Sequence, residues 1–95
     1  MPAHALSNAH NYYLLLRDLE TRDRLIRSLR EDGIHAVFHY VPLHDSPAGR
    51  KFGRAGGPME ITRSVAERLV RLPLWLGLEA HQDEVIESCE RALAP

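Results

Sequence analysis

The chain has 95 residues, 44% of them hydrophobic and 26% charged, with 12 basic residues, 13 acidic ones and a formal net charge of −1. That length and composition describe one folded domain with a single modest core, and exclude an intrinsically disordered chain. The balanced charge provides no long-range field to draw in a nucleic acid or an acidic membrane.

Residues 1–7 have no period and read as a flexible lead-in without the charged and apolar regions of a signal peptide. No apolar run approaches the ~18 residues of a membrane span. Residues 10–16 (HNYYLLL) are aromatic and aliphatic on both alternations, which predicts an interior strand covered on both faces. Residues 21–32 predict a helix: Leu25, Ile26 and Leu29 make one stripe, Thr21 is the N-cap and Gly33 the stop. Residues 34–41 (IHAVFHYV) predict a second strand, ended by Pro42.

Residues 42–58 hold three prolines and four glycines in 17 residues and predict a long irregular loop. Residues 62–70 predict a short helix capped by Thr62, and residues 71–76 a strand that Pro73 assigns to a sheet edge. Residues 80–93 predict a last helix with Val85, Ile86, Cys89 and Leu93 on its apolar stripe. The predicted core is Leu25, Ile26, Leu29, Val37, Leu69, Val85, Ile86 and Leu93. Strands alternating with helices fit either a parallel βαβ sheet or an antiparallel sheet with helices on one face. Cys89 has no partner for an internal disulfide and reads as a buried reduced thiol, consistent with the cytoplasm.

Six histidines raise the question of a metal. His35 and His39, in a strand, would share a face about 13 Å apart, too far for one zinc. Neither CxxC nor HExxH is present, so no metal site is expected. Lys51 is the only lysine, between Arg50 and Phe52 in the glycine-containing stretch, and reads as solvated. The glycines at 53, 56 and 57 read as flexible loop, the alternative being Arg50 and Arg54 steering a phosphate. His39, Tyr40 and His44 stand where a strand runs into a loop, a common place for ligand contacts, and imidazole can donate to a phosphate or a sugar hydroxyl.

Residues 8–13 (NAHNYY), 36–44 (AVFHYVPLH), 47–49 (PAG) and 66–74 (AERLVRLPL), with the closing helix over 82–93, resemble the C-terminal region of the DegT/DnrJ/StrS sugar-nucleotide aminotransferases. The resemblance covers residues 8–94. It implies an α+β fold, the small domain of aspartate-aminotransferase-like enzymes: a mainly antiparallel sheet with helices on one side, over residues 8–95. It implies transfer of glutamate's amino group, through pyridoxal phosphate, to the keto carbon of a dTDP-4-keto-6-deoxyhexose, in cell-surface polysaccharide (lipopolysaccharide) biosynthesis. The family's large domain supplies the cofactor lysine, so no cofactor binding and no catalysis is expected of this chain alone. The expected partners are a dTDP-hexose and a large domain or aminotransferase subunit, with the chain a truncated product, an excised domain or part of a split enzyme. His39, Tyr40 and His44 carry an implied substrate-contacting role, as do His10 and Asn8 where the first strand begins. The alternative is a stand-alone nucleotide-sugar-binding or subunit-pairing module without catalysis.

Overall fold

The computed structural model describes residues 2–95. Its organising element is a short strand, β3, Leu69–Leu72, which pairs antiparallel with β1 (Tyr12–Leu15) on one side and β2 (Val37–Phe38) on the other. Both outer strands run against β3 and therefore parallel to each other. The helix α1, Leu19–Glu31, connects them as a split βαβ crossover around the central strand. The fold is thus α+β, with a three-stranded antiparallel sheet and four α-helices among the described residues.

Register settles which residues face the helices, because cross-strand partners share a face. Phe38 and Leu14 both lie opposite Val70, while Val37 and Tyr13 both lie opposite Arg71. Val70 is fully buried with Leu25 and Leu29 of α1. The Arg22 guanidinium of the same helix covers Phe38 at 5.2 Å from the ring centre. The helices therefore cover the Val70 face and leave the Arg71 face without a helical layer. The last helix, α4 (Gln82–Leu93), adds Val85 and Cys89 to the core, beside Ile34 and Ala36 from the stretch leading into β2. Burial pushes the Cys89 thiol pKa up, which keeps it protonated and unreactive.

Local chemistry sets the helix ends. Asp18, in extended conformation, is the N-cap of α1 and accepts from the Thr21 amide at 2.8 Å. That bond, together with Arg17, holds the Asp18 carboxyl well below the ordinary carboxylate range. Gly33 takes φ 77 just past the α1 C-cap, a left-handed turn that suits glycine. The C-cap residue, Asp32, reaches across to α4, accepting from the Ser88 hydroxyl and from Arg91 at 3.1 Å. Ser88 is fully buried, so Asp32 satisfies a hydroxyl that water cannot reach.

Several expectations change. The segment 10–16 is not an interior strand: β1 lies at the sheet edge and Tyr12, Tyr13 and Leu15 are exposed. Conversely, the strand read as an edge at 71–76 sits two residues earlier and in the centre, with Pro73 just beyond the ladder, where a missing amide breaks no pairing. The strand over 34–41 shortens to two paired residues because Tyr40 turns left-handed. Thr21 and Thr62 are not caps; Asp18 and Met59 hold those positions. The loop over 42–58 contains a 3-10 turn, Leu43–Asp45, and a helix, α2, Pro47–Phe52. The helix α3 runs Glu60–Arg68 and leads directly into β3. In α4, Ile86 turns away from the core and is 45% exposed. Among the described residues no helix is long and apolar enough to cross a membrane.

Leu29→Ala should cost about 2–5 kcal/mol in urea-denaturation experiments, because it empties a fully buried position. Ile86→Ala should cost clearly less, since much of that side chain already meets solvent. Equal losses for the two would contradict this packing.

Candidate functional site

The segment after β2 is shaped by two successive backbone departures. Tyr40 has φ 54, in the left-handed region that an L-tyrosine rarely occupies, and this ends the strand. Pro42 then leads into the 3-10 turn, with the Asp45 amide donating to the Pro42 carbonyl at 2.9 Å. Ser46 closes the turn and opens the next helix at once. Its hydroxyl donates to the Leu43 carbonyl at 2.8 Å and accepts from the Gly49 amide at 2.9 Å. Ser46 followed by Pro47 is an N-cap followed by a first-turn proline, the sequence signal for α2 that the proline and glycine count conceals. Gly49 is required there: a Cβ on it would meet the Leu43 carbonyl oxygen at 1.6 Å.

Asp45 ties this segment together. Its carboxylate accepts from Arg63 of α3 at 3.0 and 3.3 Å and from Arg50 of α2 at 3.1 Å. The His44 Nε2 lies 3.2 Å from Asp45 Oδ2, close enough for an ion pair but out of line for a hydrogen bond. The Arg63 hydrogen bonds, aided by Arg50 and by the Arg63 and His44 charges, hold the Asp45 carboxyl below its ordinary value, and the same contact raises Arg63. Arg22 joins α1 to α3 by donating to the Ala66 carbonyl at 3.2 Å. Between these elements lies an open cleft of about 500 Å³, lined by Phe38, Tyr40, Val41 and Pro42 together with Arg22, Arg50 and Arg63, and also by Asp45 and Glu67.

The sequence-predicted residues divide accordingly. His39 and Tyr40 are adjacent and exposed, their rings edge to face with centres 5.2 Å apart. Tyr40 lines the arginine cleft, whereas His44 lines a neighbouring hollow with Arg50, Gly53 and Arg54. Asn8 and His10 form a local chain instead: the Asn8 side-chain oxygen meets His10 Nδ1, and His10 Nε2 meets the Asn11 side-chain nitrogen Nδ2 at 2.8 Å. Sequence reasoning missed Asp45, Arg63 and Arg22, which are far apart in the chain and share no motif. Lys51 sits on α2, exposed, with its ammonium 5.0 Å from the Phe52 ring centre. Among the described residues, no group of three or more His, Cys, Asp or Glu side chains is arranged to hold a metal ion.

A family model described as the DegT/DnrJ/EryC1/StrS aminotransferase family matches residues 1–90. The chain is also 33% identical, over 64 residues, to the erythromycin biosynthesis sensory transduction protein EryC1 of Saccharopolyspora erythraea. That alignment covers 66% of this chain and 18% of EryC1.

The Asp45 clamp makes two predictions. Gly49→Ala should destabilise the 42–53 segment by about 1–3 kcal/mol, read as faster hydrogen exchange in α2 with little change in α1 and α4. Asp45 has a depressed folded-state pKa, so its contribution should be complete above the ordinary value of 3.8 and lost as pH falls below it through the folded value. The Arg63 Nε–H resonance should move across that acid range in the parent and stay flat in Asp45→Asn. A parent resonance that does not titrate would show that the clamp does not form.

Proposed function

The chain belongs to the DegT/DnrJ/EryC1/StrS aminotransferase family, and from that premise we propose that it is the small C-terminal domain of a sugar-nucleotide aminotransferase, providing one wall of a nucleotide-sugar site. The reaction proposed for the complete enzyme is that of a dTDP-4-amino-4,6-dideoxygalactose transaminase, transfer of glutamate's amino group onto a dTDP-4-keto-6-deoxyhexose in the cytoplasm. The observation that carries the reading is the strand end at His39–Tyr40, whose left-handed bend opens beside a cleft lined by three arginines.

The chemistry of that wall suits the substrate class. The hydroxyl of Tyr40 and the ring nitrogens of His39 and His44 can donate to or accept from sugar hydroxyls. Arg22, Arg50 and Arg63 bring positive charge near the site, which favours a diphosphate, although Asp45 already engages two of them. Asn8 and His10, bound to each other, form a second polar group that would contact the sugar only once further protein closes over it.

Pyridoxal phosphate, when bound in such enzymes, serves as the electron sink for amino transfer. The residues present do not fit it. Its carbonyl needs a lysine in a desolvated pocket, and Lys51, the sole lysine, is exposed on the surface of α2. In this reading the cofactor lysine belongs to other polypeptide, and the present residues bind and orient the sugar.

The surface supports a role within something larger. The accessible area is 7605 Å², whereas a compact monomer of 10.8 kDa would expose about 5,500 Å². The radius of gyration is 15.7 Å, against about 12 Å for a compact domain of this length. The excess area is comparable to a protein–protein interface. It is equally compatible with the subunit-pairing form of the second reading, in which the chain docks on an aminotransferase without taking part in chemistry.

Titration of the ¹⁵N-labelled chain with thymidine diphosphate and a dTDP-hexose should move the amides of His39, Tyr40 and His44, with millimolar-range affinity because the cleft is open. Shifts confined to other regions would contradict the reading. Pyridoxal phosphate should show no stoichiometric binding that Lys51→Ala abolishes; if it does, the cofactor argument fails.

A further inference from the structure

Arg71 occupies an unusual position for a cation. It lies in the central strand, opposite Tyr13 on one neighbour and Val37 on the other, on the sheet face without a helical layer. Its Nε is buried and has no hydrogen-bond partner among the described residues. A buried donor without an acceptor is costly unless another group compensates. The group set against this guanidinium is the Tyr40 ring, whose centre lies 5.5 Å from Cζ.

Tyr40 in turn needs an explanation. It is 70% exposed, so burial of its ring does little to hold it, yet its backbone has the left-handed φ of 54. A non-glycine residue keeps that conformation only where its surroundings enforce it. Its ring packs edge to face with His39 and meets the Arg71 guanidinium in a cation–π contact. His39 is exposed and adjacent in sequence, so it moves with Tyr40 and cannot anchor it. Arg71 is anchored from both sides by the strand ladder.

We infer that Arg71 is a positioning residue: its guanidinium holds the Tyr40 ring over the open sheet face, fixes the left-handed bend, and so sets the orientation of His39 and Tyr40 at the cleft. The consequence for ligand binding rests on the proposed sugar-binding role of His39–His44; the conformational claim does not. A cationic side chain at position 71 satisfies the requirement only in part if it is lysine, whose ammonium lacks the planar face that stacks on an aromatic ring.

The test is NMR on the full chain and on Arg71→Met, Arg71→Lys and Tyr40→Leu. A left-handed residue gives a strong intraresidue amide-to-Hα cross-peak. That peak should be strong for Tyr40 in the parent, weak in Arg71→Met and partly restored in Arg71→Lys. The Arg71 δ-methylene protons should be shifted upfield by the Tyr40 ring in the parent and return to ordinary positions in Tyr40→Leu. Thymidine diphosphate should bind about two- to five-fold more weakly to Arg71→Met, the loss expected for a partly exposed cation–π contact. An unchanged Tyr40 cross-peak in folded Arg71→Met overturns the inference, as do unshifted Arg71 protons in the parent, which can be read even if Arg71→Met fails to fold. If the parent binds no thymidine diphosphate while the cross-peak responds as described, Arg71 positions Tyr40 and it is the sugar-site reading that fails.

Discussion

Everything in this small fold hangs on β3. Four residues, Leu69–Leu72, pair with both neighbouring strands, so neither outer strand has a sheet without it. The two faces of the same strand do different work. Val70 enters the core between α1 and the sheet, where it is fully buried with Leu25 and Leu29. Arg71, one residue on, faces the other way and meets Tyr40. A one-residue slip in register would exchange these faces, burying a guanidinium under the helices and exposing the central valine. The hydrophobic pattern of α1 and α4 therefore specifies the strand register, and the register specifies what lies beneath His39 and Tyr40.

Around that strand, polar contacts tie elements distant in sequence. Asp32 links the end of α1 to α4, Arg22 links α1 to α3, and Asp45 links the 3-10 turn to α2 and α3. They are partly exposed, and contacts of that kind contribute modestly to stability. Their value is geometric. Without them, α2 and α3 would have little to fix their angle to the sheet, since neither contains a buried residue. The cleft is thus a product of polar ties placed on a hydrophobic scaffold, and its lining mixes Leu19, Phe38, Val41 and Pro42 with the charged Arg22, Asp45, Arg50, Arg63 and Glu67.

Much of the scaffold was legible in the residues themselves. The apolar spacing of Leu25 and Leu29, the Gly33 stop, and the burial of Val85 and Cys89 follow from helical periodicity, and all appear in the structure. The family resemblance correctly implied an antiparallel sheet, which spacing alone left open. The errors have specific causes. Tyr13 and Leu15 of β1 look like interior residues, but they lie beside Arg71 and Leu69 on the sheet face that no helix covers. Pro73 suggested an edge because a proline inside a ladder breaks it, but here the ladder stops one residue earlier. The cleft was only half visible: His39 and Tyr40 stand in one segment, whereas Arg22 and Arg63 reach it through tertiary contacts that no local pattern encodes.

The most direct test of this account is equilibrium urea unfolding followed residue by residue in ¹H–¹⁵N spectra, comparing Val70 with Tyr40. If β3 holds both the core and the bend at the cleft, the native signals of the two residues should disappear together, with one midpoint, as expected of a single cooperative unit. Native Tyr40 signals that outlast those of Val70 would contradict it, because the bend would then be stable without the strand that is argued to hold it.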